Sequence, residues 1–245
     1  MQEHETVLDV EGVAVAFDGR PVLRDVSLRL HRGELVSLLG ASGGGKTTLF
    51  NVIAGLLPAD AGRVLLQGRD ITGQSGQVSY MMQKDLLLES MRVADNVALP
   101  LRLRGASRAQ ARAEAEALLP RFGLGDAGNL WPAQLSGGMR QRAALARTYL
   151  FSREVMLLDE PFSALDAFTK SEMHQWFAQA RQQLGLSVLL VTHDIDEAVL
   201  LSNRVLVLRD GAIAGEVAVA RPAAEDFSLT EQFLEAKRAV KALLA

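Results

Sequence analysis

Cysteine is absent from this chain. That excludes disulfides and thiolate metal sites and fits a reducing compartment. A surplus of basic charge is missing too. Lys and Arg number 26 against 29 Asp and Glu, a net charge of −3, with both signs spread along the chain. This balance argues against a basic nucleic-acid surface as the main business. No stretch approaches the roughly eighteen consecutive apolar residues of a membrane span. The opening MQEHETVLDVEG is charged and has no apolar run, so it does not read as a signal peptide. Any work at a membrane would go through a partner. Internal repeats and low-complexity linkers are also lacking.

What remains is 245 residues, nearly half of them apolar, enough for one large domain or two small ones with a substantial core. Residues 8–17 and 22–30 read as strands around a turn at Asp18-Gly19. Residues 34–39 form a buried-strand run, followed by a glycine-rich loop and an apolar helix through Ile53. Two short strands are expected near 64–66 and 78–80. After Gln83 the texture turns helical as far as residue 150, rich in Ala, Arg, Glu and Leu. Within it, residues 107–124 read as an amphipathic helix capped by Ser107 and stopped at Gly123. Strands return at 155–158, 188–192 and 205–208, separated by helices. Asp210-Gly211 reads as a hairpin turn and residues 227–244 as a last amphipathic helix. The alternation predicts an α/β fold with a mixed, mostly parallel sheet and an inserted helical subdomain. The expected division is a core of residues 1–83 and 151–226, a helical subdomain at about 84–150, and the terminal helix.

Gly40, Ala41, Ser42, Gly43, Gly44, Gly45, Lys46 and Thr47 fit G-x-x-x-x-G-K-[ST]. Glycines let backbone amides turn inward around phosphate oxygens, and the following helix adds its positive end. In such a loop Lys46 bridges the β- and γ-phosphates and the Thr47 hydroxyl ligates Mg²⁺. A bare glycine turn is the plain alternative, but the preceding strand and following helix supply the context the motif requires. Asp159 and Glu160 end the apolar run at 155–158, at the carboxyl edge where α/β sheets bind ligands. There Asp159 would hold Mg²⁺ through water and Glu160 would polarise the attacking water. Without the glycine loop, two acids at a strand end would read only as solvated.

Three more segments follow a fixed order with these: Leu135-Ser136-Gly137-Gly138-Met139-Arg140-Gln141, then Ser163-Ala164-Leu165-Asp166, then His193. The whole chain resembles the nucleotide-binding subunit of an ATP-binding-cassette (ABC) transporter. The resemblance makes residues 40–47, with Thr48 beside them, the Walker A motif and 155–160 the Walker B motif. Residues 135–141 become the signature motif, Gln83 the Q-loop glutamine, Asp166 the D-loop acid and His193 the switch histidine. It implies a P-loop NTPase cassette with an antiparallel β subdomain, binding ATP and Mg²⁺. Gln83 would join Thr47 and Asp159 near the metal, and Phe17 would stack on adenine. Lys46, Glu160 and His193 would carry hydrolysis. Ser136, Gly137 and Gly138 open a helix, so their amides form a second phosphate cradle. In the family that cradle faces ATP on the partner subunit, giving a homodimer with two sandwiched nucleotides. Gly44 stands where the family more often has Ser or Cys.

The same resemblance implies separate transmembrane permease subunits, an indirectly coupled substrate-binding protein and a place at the cytoplasmic face of the inner membrane, with no nucleic-acid partner. The wording of the signature, D-loop and switch segments is similar to the branch importing nitrate, sulfonates, taurine and pyrimidine precursors of thiamine. An export or lipoprotein-release ATPase stays open, as does a soluble ABC protein of repair or translation. Two local expectations complete the reading. Leu86-Leu87-Leu88 forms an exposed apolar patch for the permease, and Arg140, Arg142 and Arg147 form a solvated helix face.

Overall fold

The computed structural model describes residues 5–152, 154–220 and 226–245. Residues 1–4, 153 and 221–225, all within the expected core stretches, lie outside it. Strands β1 (Thr6–Phe17) and β2 (Arg20–His31) pair antiparallel around Asp18-Gly19. Both turn residues have positive φ, 48° and 75°, which matches the twist of a two-residue hairpin. With β4 (Ala61–Leu66) and β5 (Arg69–Asp70) they make a four-stranded antiparallel sheet in the order β2-β1-β4-β5.

The second sheet carries the site. It contains β3 (Leu35–Leu39), β6 (Ser79–Met81), β7 (Val155–Asp159), β8 (Ser187–Val191), β9 (Arg204–Arg209) and β10 (Ala212–Ala218). The spatial order is β10-β9-β3-β8-β7-β6. All neighbours run parallel except the β9–β10 hairpin, which closes at Asp210-Gly211. Every residue of β3, β7 and β8 is buried, as expected of parallel strands covered on both faces. The polar hydroxyls inside are paired: Ser37 with Ser202 at 2.5 Å, and Ser79 to the carbonyls of Thr148 and Ser152.

Helices cover both faces. Helix α1 (Lys46–Ile53) follows β3 directly. Between β6 and β7 come α2 (Val93–Leu103), α3 (Arg108–Leu118) and α4 (Gly137–Phe151), which share an apolar core reaching Met156, Leu158 and Leu190 of the sheet. Ser107 caps α3 through a reciprocal box with Gln110, a device worth about 1 kcal/mol. The regular helix stops at Leu118. A 3-10 turn, Leu119–Phe122, then carries the chain to Gly123 at φ 67°, because Pro120 cannot continue the amide ladder.

After β7 come α5 (Ala167–Leu184), α6 (Ile195–Leu201) and α7 (Glu231–Leu244). The last helix starts later than the apolar pattern suggests. Phe227–Leu229 is a separate 3-10 turn, and Thr230 both donates to the Phe227 carbonyl and accepts from the Phe233 amide, so it caps α7. No helix among the described residues is long and apolar enough to cross a membrane.

Candidate functional site

Strand order assembles the site. In the run β3-β8-β7-β6 four parallel carboxyl ends lie side by side. They lead respectively into the glycine loop, Thr192-His193, Glu160 and Gln83. This is the edge at which open α/β sheets take their ligands.

The glycine loop turns on steric necessity. Gly45 precedes α1 at φ 98°, and a Cβ there would lie 2.9 Å from Leu23 Cδ2 and 3.0 Å from the Val22 carbonyl. A Cβ at Gly40 would meet the Leu208 carbonyl at 2.4 Å. Gly44 has no positive φ, but a Cβ there would lie 3.0 Å from the Ala41 carbonyl. Its amide closes a turn on the Ala41 carbonyl at 3.0 Å. Lys46 is buried and donates to the Gly40 and Ala41 carbonyls, each at 2.9 Å. Burial holds its pKa below the usual lysine value, against the opposing pull of Glu160 and Asp159. A buried cation under a ring of backbone amides is a strong anion receptor.

Asp159 is buried at the end of β7, where its Oδ2 accepts from the Thr47 hydroxyl at 3.3 Å and from the Tyr80 hydroxyl at 3.4 Å. Burial raises its pKa, and the neighbouring Glu160 charge adds to that. A desolvated carboxylate beside a threonine hydroxyl is an oxygen donor pair suited to Mg²⁺. Glu160 sits at φ 45°, its amide bonded to the Val191 carbonyl at 2.9 Å. A non-glycine residue held left-handed by a neighbouring strand is the kind of local strain found at working sites. Its Oε2 lies 3.2 Å from Gln83 Nε2 and 3.1 Å from His193 Nδ1.

Two cavities flank these groups and share His193. One of about 660 Å³ opens over Gly40 to Gly44, against Val22 and Asp210-Gly211. The other, about 730 Å³, lies among Gln83, Arg140, Gln141, Glu160 and Ser163. Phe17 is 46% exposed at the end of β1, so it is no part of the core. Ser136 caps α4, with Ser136 and Gly137 exposed and Gly138 packed beneath Thr169. Asp166 caps α5 through Thr169, whose hydroxyl and amide hold its carboxyl below the usual range. Ser136, Gly137, Gly138 and Asp166 are not among the residues lining the cavity over the glycine loop. The fold thus gathers Lys46, Thr47, Asp159, Glu160, Gln83 and His193, with Arg140 and Gln141 beside the last three, while Ser136, Gly137, Gly138 and Asp166 line neither cavity.

Some of the site's supports are not expected from sequence. The arginines of α4 are not a solvated face. Arg140 pairs with Asp85 at 2.9 Å and Glu89 at 3.0 Å. Arg147 donates to the Asp85 and Leu86 carbonyls, and Arg142 lies over the Trp176 ring. Two of the three therefore clamp the segment after Gln83, because its backbone carbonyls and acids have no strand to pair with. The only sequence hint is the excess of acids at 85 and 89. The leucines there divide: Leu87 is buried, whereas Leu86 and Leu88 are exposed.

Behind His193, α5 and α6 are locked by a buried cluster. Glu197 Oε2 meets His174 Nε2 and Lys170 Nζ at 3.1 Å each, and Lys170 also reaches Asp194, the α6 cap, at 2.7 Å. Burial pushes Glu197 up, but the His174 hydrogen bond and the Lys170 charge outweigh it and hold the carboxyl below 4.5. A lowered carboxylate pKa adds stability above its unfolded value, lost as the pH falls through the folded one. Glu197→Ala should therefore cost about 1–3 kcal/mol in urea unfolding at pH 7, since it leaves the buried His174 ring nitrogen without this partner and takes one of two carboxylates from Lys170. That cost should shrink below pH 4.5. Equal unfolding midpoints for variant and wild type at pH 7 would contradict it.

The fold and this edge define a P-loop nucleotide-binding α/β protein. The sequence profile of the ABC transporter family matches residues 23–163. The aliphatic sulfonates import ATP-binding protein SsuB of Albidiferax ferrireducens is 44% identical over 84% of this chain and 73% of its own length. The taurine import ATP-binding protein TauB of Yersinia pestis bv. Antiqua is 42% identical, over 84% of this chain and 80% of its own. The formylaminopyrimidine import ATP-binding protein ThiZ of Halalkalibacterium halodurans is 37% identical over 96% of this chain and 93% of its own. A crystal structure of the ADP conformation of an ATP-binding cassette of an ABC transporter superposes with a TM-score of 0.77, at 22% identity over 87% of this chain and 91% of that one. The chain belongs to the ABC transporter family, as an ATP-binding ATPase subunit.

Proposed function

We propose that this chain hydrolyses ATP, with Mg²⁺, to drive import of a small solute through a separate membrane permease. The observation that carries the reading is the meeting of Lys46, Thr47, Asp159, Glu160, Gln83 and His193 at four adjacent strand ends. The import direction is supported by the relatives, which are import ATP-binding proteins for sulfonates, taurine and a formylaminopyrimidine.

The roles follow from chemistry at each atom. Lys46 and the amides of residues 41–47 bind the phosphates of ATP, and exposed Phe17 offers a ring to the adenine. Thr47, Asp159 and Gln83 would hold Mg²⁺, which supplies charge neutralisation on the β- and γ-oxygens. Glu160 accepts a proton from the attacking water, and His193 contacts the γ-phosphate. His193 and Gln83 hold the Glu160 carboxylate between them. Ser136, Gly137, Gly138 and Asp166 complete the site of a second copy, in a homodimer with ATP at the interface. The exposure of Ser136, Gly137 and Asp166 away from the chain's own glycine loop supports this reading. A substrate-binding protein would act indirectly, through the permease, with this chain on the cytoplasmic face.

A groove of about 400 Å³ between the end of α1 and α2, lined by Tyr80, Met81 and Phe151, would seat the permease. Its rim exposes Leu56, Met82, Leu86 and Leu103, the last 78% exposed. Four exposed apolar side chains around one groove favour a cover. Because the chain has no cysteine, every crosslink from Met82→Cys, Leu86→Cys or Leu103→Cys reports the new thiol alone. At least one should crosslink to a co-expressed permease carrying single cysteines. A folded complex with no crosslink at any of the three would reject this groove.

The functional reading is tested by phosphate release. The purified chain with MgATP should release phosphate, and faster with the permease in proteoliposomes. Release no faster than that of Glu160→Gln would overturn it.

A further inference from the structure

Tyr80 touches both of the places just described. It stands on β6, three residues before Gln83, and lines the apolar groove between α1 and α2. Its ring packs edge-on against Phe50 of α1, with centroids 5.8 Å apart. Its hydroxyl reaches Asp159 Oδ2 at 3.4 Å, the oxygen that also accepts from Thr47 at 3.3 Å. The strand pairing sets this up. Tyr80 is level with Leu157 on parallel β7, so its side chain leaves the sheet on the same face as Leu157 and Asp159.

We propose that Tyr80 is a positioning residue for the Asp159 carboxylate, and that through it the groove acts on the magnesium-binding site. The proposal rests on the reading of Asp159 as a magnesium holder and of the groove as the permease's seat. The physical argument is one of remaining donors. A cation that takes a lone pair of the Thr47 hydroxyl leaves its O–H on Asp159 but ties that donor to the metal's position. Tyr80 is then the side-chain hydrogen-bond donor on Oδ2 that is anchored outside the cation's own ligand set among the described residues. Outer partners of this kind fix the orientation of a ligating carboxylate. The tyrosine is half-buried and its ring forms part of the groove floor. A partner pressing into the groove therefore pushes on a rigid ring, and the far end of that ring is the hydroxyl on Asp159. A phenylalanine would pack identically against Phe50 and line the groove equally well, yet touch the carboxylate with nothing. The substitution separates the hydroxyl's work from the ring's.

The test is Tyr80→Phe in the full chain loaded with a non-hydrolysable ATP analogue, with Mn²⁺ titrated by electron paramagnetic resonance. The expected result is a rise of about tenfold in the Mn²⁺ concentration at half-saturation, the low end for loss of a second partner of a metal ligand. Affinity for the analogue in EDTA should not change, which separates metal positioning from a damaged nucleotide site. Adding the permease complex should shift the Mn²⁺ affinity of wild type and leave that of Tyr80→Phe unmoved. Identical Mn²⁺ affinities for the two proteins would overturn the positioning role. An equal permease shift in both, or none in wild type, would overturn the coupling through Tyr80. Asp159→Asn serves as reference. Should it leave Mn²⁺ affinity intact, the reading of Asp159 as the metal holder fails, and the Tyr80 proposal falls with it for that separate reason.

Discussion

Glu160→Gln is expected to bind ATP at least as tightly as wild type and to hydrolyse it about 10²–10⁴-fold more slowly, the usual cost of removing a general base. The carboxylate acts on water and makes little ground-state contact with nucleotide, so binding should survive. Losing a negative charge near the γ-phosphate should even favour it. An amide also keeps the size of the side chain, so the left-handed backbone at 160 is unchanged. Because ATP would join the glycine loop of one chain to Ser136, Gly137 and Gly138 of another, the variant should accumulate as a closed dimer in MgATP, seen by light scattering. Adding Ser136→Arg should abolish that dimer and spare nucleotide binding to each monomer. A Glu160→Gln protein that binds ATP and remains monomeric at saturation would sink the sandwiched-nucleotide mechanism. Wild-type rates in Glu160→Gln would remove Glu160 from the chemistry.

The second large effect belongs to Lys46→Ala. Truncating one partner of a buried charged hydrogen bond costs about 2–5 kcal/mol, so ATP affinity should fall by roughly 30- to 4,000-fold in a fluorescent-nucleotide titration. The fold itself should lose little. The two hydrogen bonds to the Gly40 and Ala41 carbonyls disappear, but so does a desolvated cation whose pKa is already depressed by burial. Urea midpoints close to wild type, together with the lost affinity, would separate a binding defect from misfolding. Hydrolysis at the wild-type rate would show that the glycine loop does not hold the phosphates.

Much of this protein could be read before its structure. The β1–β2 strands, the Ser107 cap and the Asp-Gly turns depend on residues close in sequence and appear where their local chemistry places them, whereas the end of α3 and the start of α7 differ from the pattern. The ordered motifs likewise announced a phosphate loop, a carboxylate edge and a second helix opening. These are patterns of neighbours, and neighbours are what a sequence displays.

The tertiary structure alone decided which distant side chains meet. Gln83 and Glu160 are 77 positions apart, yet they share a hydrogen bond. The order β3-β8-β7-β6 brings their strand ends together, and no local pattern encodes that order. The same holds for Tyr80 on Asp159 and for Lys170 and His174 on Glu197. The arginines of α4 show the converse. At helical spacing a run of charges reads as solvent-facing, but the loop laid across α4 offers carbonyls and carboxylates, and two of the arginines turn inward to satisfy them. Sequence by itself determined the local conformations and the kinds of chemistry on hand. Strand order and side-chain packing, which depend on contacts far apart in the chain, decided which groups share an atom.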